Sequence, residues 1–391
     1  MSGEEGNSAN PFSQIASELD ERKAIAEMEV QRNKNEEVTV LQNRFADAIR
    51  EMSNREGGIS IRIPLNVITM THHKDAVVDV AFSSNDSEIA SASHDGTIRI
   101  WNPLTGEHIR ALSGHTGHVN SVAYAPDGNI ISSASSDGQV RIWDTTTGIS
   151  QFVLTHHKDR VNKVKFSANG KILVSASHDK TVRIWNPTTG EHITALSKHK
   201  GPVIDVDISP DGNTIMTASE DGMLRFWNTE GDLLDDKTIQ TNDVPEQAMY
   251  SPTGDVIAVI LGKGLLRMYN TFSQMELRTI QSNSKRIGSL GFSPYSDVLA
   301  LGTFHDEIQV WNYGNGTVIH TLKNHKGPVS GIHFSNNGTM IASASHDTSI
   351  KIWPAHIAPG TDKSIIDAVL SLMKDAGFSV KKDEISITIS R

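Results

Sequence analysis

From Val77 onward, apolar and polar positions repeat one short phrase. Val77-Val78-Asp79-Val80-Ala81-Phe82 alternates and stops at the polar turn Ser83-Ser84-Asn85-Asp86. A second run, Glu88-Ile89-Ala90-Ser91-Ala92-Ser93, leads to the turn His94-Asp95-Gly96. Thr97-Ile98-Arg99-Ile100-Trp101 follows, and after Thr105-Gly106 comes His108-Ile109-Arg110-Ala111-Leu112. Short β-rich runs bounded by Gly, Asn, Asp and Ser predict four strands. The phrase returns every 42 residues and carries all six tryptophans of the chain: Trp101, Trp143, Trp185, Trp227, Trp311 and Trp353. The one missing mark holds Tyr269. Repetition at a fixed period of this size predicts like units that cannot bury their cores alone. Seven units of four strands predict an all-β, seven-bladed propeller, in which radial repetition leaves only short, protected edges.

Polar residues keep the same ruler. Asp95, Asp137, Asp179, Asp221 and Asp347 each stand six positions before a tryptophan. His73, His115, His157, His199 and His325 stand twenty-two before those aspartates, and Ser91, Ser133, Ser175, Thr217 and Ser343 fill a further register. Gly114-His115 followed by Asp137-Gly138-Gln139-Val140-Arg141-Ile142-Trp143-Asp144 resembles a WD40 repeat, and the resemblance covers about residues 64–353. It implies that the His, Ser or Thr, Asp and Trp of one blade form a buried hydrogen-bonded set. Such a set fixes the turn between the second and third strands, because buried polar groups must be satisfied. These histidines, aspartates and aromatics, with Tyr269 and Trp311, are therefore expected to be structural; no catalytic, cofactor or metal residue is expected. The doublets His72-His73 and His156-His157 look like ligand pairs, yet one member of each falls on the structural register. The resemblance also places the residue before each Asp on the narrower rim: His94, Ser136, His178, Glu220 and His346. Polar loop residues held by a rigid scaffold are candidates for partner binding, and histidines there would tie binding to pH.

After Trp353 no fourth strand follows in register, whereas Leu65 to Met70 lines up with the outer strand of other blades. Residues 65–70 are expected to latch the last blade of a propeller spanning 65–353, since an unclosed ring exposes strand edges. Two neighbouring units depart from the pattern. Thr241, Val259 and Lys263 occupy the His, Ser and Asp registers of the fifth, and Asn283, Leu301 and His305 those of the sixth. Asp306 is one residue off register, so a set could re-form there only with a shortened turn. Residues 237–320 are either drifted blades held by their neighbours or a specialised face.

The overhangs read differently. Residues 1–11 are expected to be disordered and 12–57 to form an amphipathic, coiled-coil-like helical segment. Its seam is Val38, Leu41, Phe45, Ala48 and Met52, spaced to meet the propeller, a helical partner or a second copy. Residues 58–64 read as a strand and 354–360 as a linker. Residues 361–391 read as a small α/β extension, with Ile365, Ile366, Val369, Leu372, Met373 and Ala376 on one helical face and a hairpin after Gly377. The strand before the ring is expected to pair with that hairpin, because lone alternating strands are unstable.

Composition narrows the function. The 391 residues are 37% hydrophobic, with no cysteine and a net charge of −10. Absent thiols exclude disulfides and thiolate chemistry. An acidic balance gives no reason to expect nucleic acid, and no apolar run reaches membrane-spanning length. The acidic start Met1-Ser2-Gly3-Glu4-Glu5 does not read as a secretory signal. No nucleophile elbow or phosphate loop is present. These features together predict a non-catalytic scaffold, cytoplasmic or else nuclear or cytoskeleton-associated, whose partners are other proteins or peptides. Two alternatives are a G-protein β-like subunit pairing residues 12–53 with a γ-like helix, and a cytoskeletal or ciliary structural protein.

Overall fold

A computed structural model describes residues 59–64, 67–355, 379–380 and 384–389. Seven four-stranded antiparallel sheets account for residues 68–354. Their innermost strands are Val77–Phe82, Val119–Tyr124, Val161–Phe166, Val203–Ile208, Pro245–Tyr250, Ile287–Phe292 and Val329–Phe334, spaced by the same 42 residues as the tryptophans. Each lies beside the next, and the seventh lies beside the first, so the sheets form a closed ring of blades. Blades are numbered here from Val77.

The seventh blade takes its outer strand from the other end of the propeller. Ile68–Met70 pairs with Ile352, Lys351 and Ile350, and Lys351 Nζ donates to Thr69 Oγ1 at 2.9 Å. Met70 is 1% exposed and packs among Val77, Trp101, Ile350 and Ile352. This strand therefore also bridges the gap between blades 7 and 1.

The core lies between blades. Trp143 packs on blade 1 residues Ala92, Ile98 and Ile100, and Trp185 on Ala134, Val140 and Ile142 of blade 2. Trp227, Tyr269, Trp311, Trp353 and Trp101 repeat the arrangement, each filling the gap to the preceding blade. The aromatic ruler is thus a record of inter-blade gaps, because one sheet alone cannot cover so large a ring.

A polar ladder joins the same gaps near the channel. Asp79 Oδ2 accepts the Val122 amide of blade 2 at 3.1 Å, and Asp205 Oδ2 accepts that of Ala248 in blade 5 at 2.9 Å. Gln247 accepts the Leu290 amide at 2.9 Å in the next gap. The residues at this register in blades 3 and 7 are Lys163 and Gly331, which offer no side-chain acceptor. There the following blade's own aspartate turns back: Asp205 Oδ1 accepts Val206 N at 2.9 Å, and Asp79 Oδ1 accepts Val80 N at 3.1 Å. Two carboxylates each satisfy two buried amides, as buried backbone requires.

The turn between second and third strands places one residue in the left-handed region in every blade. Gly96, Gly138, Gly222 and Gly264 fill that slot, but so do Lys180 (φ 71°), Asp306 (φ 64°) and Thr348 (φ 69°). A β-branched side chain is strained there by roughly 1–2 kcal/mol. Thr348→Gly is expected to raise the unfolding free energy by about 1 kcal/mol, after the entropy cost of glycine, in urea denaturation. A loss instead would mean that the threonine side chain contributes more than its backbone strain costs.

Outside the propeller, Ile59–Pro64, Glu384–Ile389 and Ser379–Val380 form a three-stranded sheet in that order. The seam Val38, Leu41, Phe45, Ala48 and Met52 and the helix expected after Thr361 lie outside the described residues.

Candidate functional site

Five blades bring their polar registers together with nearly constant geometry. In blade 2, Trp143 Nε1 donates to Ser133 Oγ at 2.9 Å, Ser133 Oγ meets His115 Nε2 at 2.7 Å, and His115 Nδ1 meets Asp137 at 2.8 Å. The carboxylate also accepts the amides of Thr116 and Gln139, at 3.0 and 2.9 Å. Because Nδ1 faces a carboxylate, the network assigns the proton there, leaving Nε2 to accept from the hydroxyl. His73, His157 and His325 make the same contacts with Asp95, Asp179 and Asp347 at 2.8–2.9 Å, and with Ser91, Ser175 and Ser343 at 2.7–2.8 Å. In blade 4 Thr217 replaces serine, Arg225 donates to Asp221 at 2.8 Å, and His199 stands 3.2 Å from the shared carboxylate.

Asp–His–Ser in sequence of contact is also the order of a hydrolytic triad. Here each hydroxyl residue is fully buried and its oxygen already takes the tryptophan N–H. No substrate can reach it, so the arrangement locks a turn. Burial pushes these carboxyls up, but hydrogen bonds and the histidine outweigh it and bring Asp137 down to about 2. Asp95, Asp179, Asp221 and Asp347 are lowered in the same way. Burial lowers His199 to about 4 despite Asp221.

Blades 5 and 6 satisfy the same space differently. Val259 is fully buried against Leu261 and Tyr269, and Thr241 Oγ1 donates to the Gly222 carbonyl at 2.9 Å. In blade 6 Leu301 removes the hydroxyl acceptor, and Trp311 Nε1 instead meets Gln309 Oε1 at 3.3 Å, which Ser282 Oγ also reaches at 3.1 Å. Asp306 takes the left-handed slot of the turn, and His305 is exposed. The extra histidines of the doublets stack on outer-strand rings: His72 on His108 at 5.3 Å and His156 on His192 at 5.0 Å. Among the described residues no cluster of His, Asp and Glu is arranged to hold a metal ion.

The channel opens into a cavity of about 580 Å³ lined by Asp79, Lys163, Lys165, Asp205, Asp207 and His333 among others. Lys163 pairs with Asp79 at 3.0 Å and Lys165 with Asp207 at 3.1 Å. Burial pushes Asp205 up to about 6, against the pull of Lys163, and holds His333 near 4. The charged groups of this cavity thus serve one another and the inter-blade ladder.

The rim residues are what the ring leaves outward. His94, Ser136, His178, Glu220 and His346 each donate their amide to the carbonyl just before an inner strand: Ala76, His118, Arg160, Pro202 and Pro328, at 2.8–2.9 Å. That bond sets each residue at the channel mouth. Ser136, Glu220 and His346 are exposed, and His94 and His178 partly so. Rings meet across blades here: His94 and His118 at 4.4 Å, His94 and His346 at 6.2 Å, Phe304 and His346 at 6.4 Å. Arg286 lies 4.6 Å over Phe304 and binds Glu246 at 3.2 Å, while Arg160 reaches His178 Nε2 at 3.3 Å. Phe304, His118, Arg286 and Arg160 were not among the expected rim residues. Phe304 follows His94 by whole periods, but its blade has lost the Asp that marked the position.

Comparison with known proteins agrees with this geometry. The family model for the WD domain, G-beta repeat, matches residues 65–102, 106–144, 148–186, 190–228 and 316–354. It passes over 229–315, which holds blade 5 and the inner three strands of blade 6, the two blades without the histidine set. The nuclear distribution protein nudF of Emericella nidulans is 46% identical over 52 residues, 13% of this chain and 12% of that protein. The Notchless protein homolog of Arabidopsis thaliana is 42% identical over 48 residues, 12% of this chain and 10% of its own. The aligned stretch thus spans about a tenth of each relative. With five matched repeats on a closed ring of seven blades, the chain belongs to the WD40-repeat family.

Proposed function

We propose that this protein is a non-catalytic scaffold that binds other proteins or peptides through the narrow rim of its ring. One observation carries the reading: the buried His, Asp and Ser or Thr side chains of five blades are spent on each other, while the residue beside each set is pinned at the mouth and is exposed or partly so. Propellers of this family typically serve as protein-interaction scaffolds, which agrees with it. The seam at Val38, Leu41, Phe45, Ala48 and Met52 adds a second recruiting surface, for a helical partner or a second copy. The strand at 59–64 and the C-terminal segment are read as a small module into which the propeller is inserted.

The rim carries its own reporters. Lys74, Lys158, Lys200 and Lys326 are exposed and each directly follows a histidine of the buried set. Amine-reactive crosslinking of the full-length protein in native extract is expected to join these lysines to other proteins. Replacing His94, His178 and His346 by Ala should remove those links and leave the melting temperature unchanged. Crosslinks confined to Lys residues away from the mouth would sink the reading.

A further inference from the structure

The two halves of the mouth differ in chemistry. Blades 6, 7, 1 and 2 present an unbroken run of cationic and aromatic groups: Arg286, Phe304, His346, His94 and His118. Blades 4 and 5 present Glu220, Asp243 and Glu246 beside a single lysine, Lys200, and Glu246 reaches Arg286 at 3.2 Å. The geometry points to an extended acidic peptide as the partner of this mouth, laid along the run from His118 to Arg286; this rests on the scaffold reading above.

Spacing is the first argument. Alternate side chains of an extended strand are about 6.6 Å apart. The rings His94, His346 and Phe304 follow one another at 6.2 and 6.4 Å, so alternate acidic side chains meet His94, His346 and, at the third step, the Arg286 guanidinium that lies over Phe304. A single small anion would use only one such step.

Charge is the second. The chain as a whole carries −10, so net charge gives an acidic partner no attraction, and its binding depends on the local basic groups of this run. Electrostatic complementarity of this kind sets orientation and suppresses wrong partners. The acidic half of the mouth then fixes direction, turning away the charged end of the peptide.

Protonation is the third. His94 faces His118 from blade 2, His346 from blade 7 and Asp75 from its own loop. His346 also faces Phe304, and Arg286 faces Glu246. Burial lowers His94, and the neighbouring histidines lower it further against the pull of Asp75. His94 therefore resists charging in the free protein. Carboxylates placed beside it remove that resistance, and binding takes up protons. By linkage, affinity rises as pH falls through the histidine range.

The test uses full-length protein and fluorescein-labelled dodecapeptides of alternating Glu and Ser, or Lys and Ser, read by anisotropy. The Glu peptide should bind, tightening about tenfold between pH 7.5 and 6.0, roughly one proton taken up. The Lys peptide should not bind. Replacing both His94 and His346 by Gln should flatten the pH dependence, and Arg286→Gln should weaken binding equally at both pH values. His346 and Arg286 are exposed and His94 partly so, and unchanged melting temperatures will separate lost binding from lost folding. Affinity for the Glu peptide that ignores pH or these replacements overturns the inference, as does tighter binding of the Lys peptide. A thymidine dodecanucleotide binding as tightly as the Glu peptide would make the surface a phosphate site and overturn it too. If no peptide binds, the inference fails while rim crosslinks keep the scaffold reading; if those are missing as well, both fail.

Discussion

Asp137→Ala is expected to cost about 3–5 kcal/mol of folding stability, because it strips a charged acceptor from three donors of a buried hydrogen-bond network. The carboxylate holds His115 and two turn amides at once, and the histidine in turn orients Ser133 beneath Trp143. Alanine one position earlier, at exposed Ser136, should change stability by less than about 0.5 kcal/mol. Urea titrations of the two variants decide the matter; equal losses would mean that the turn, not the network, is what matters. Acid should reproduce the effect. Folding lowers Asp137 from an ordinary 3.8 to about 2, so its contribution is complete above about pH 4 and lost as pH falls through 2. His199, lowered from 6.5 to about 4, contributes fully above about 6.5 and loses ground as pH falls towards 4. Wild-type stability should therefore decline in two stages on acidification, and the Asp137→Ala variant should show a shallower second stage.

Met70→Asp should open the ring. It puts a carboxylate into the fully covered junction of blades 7 and 1, at a cost of several kcal/mol. Losing the latch also bares the edge of Ile350–Pro354, and free edges recruit other chains. Light scattering should show concentration-dependent association, and unfolding should lose its single cooperative step. Met70→Leu, which keeps volume and polarity, should cost less than about 1.5 kcal/mol. A monomeric Met70→Asp variant with one sharp transition would show that the ring holds without its latch.

Contacts within a blade were legible in the sequence because the resemblance to a WD40 repeat implied them, and the fixed spacing carried the set from blade to blade. That resemblance groups His115, Ser133, Asp137 and Trp143, and alignment with the other blades places the outer strand near Ile68. Substitute contacts were not legible. Gln309 serving Trp311 depends on a side chain long enough to double back beside its own strand, which no register announces. The run from Arg286 to His118 was hidden for another reason. Its members come from four blades and two kinds of loop, and only ring curvature makes them neighbours. A rim chosen by the residue before each Asp finds His94 and His346 but passes over Phe304, whose blade has no Asp in register.

The aromatic of each blade reaches backward to the one before it, while Asp79, Asp205 and Gln247 reach forward to the one after. Every blade therefore has a leading and a trailing face, and the trailing face of any one is complementary to the leading face of its successor. A copied blade would arrive already fitted to both parents. Growth by duplication is in this sense built into the joints, and the number at which growth stops is a matter of curvature, decided when the last trailing face meets the first leading one.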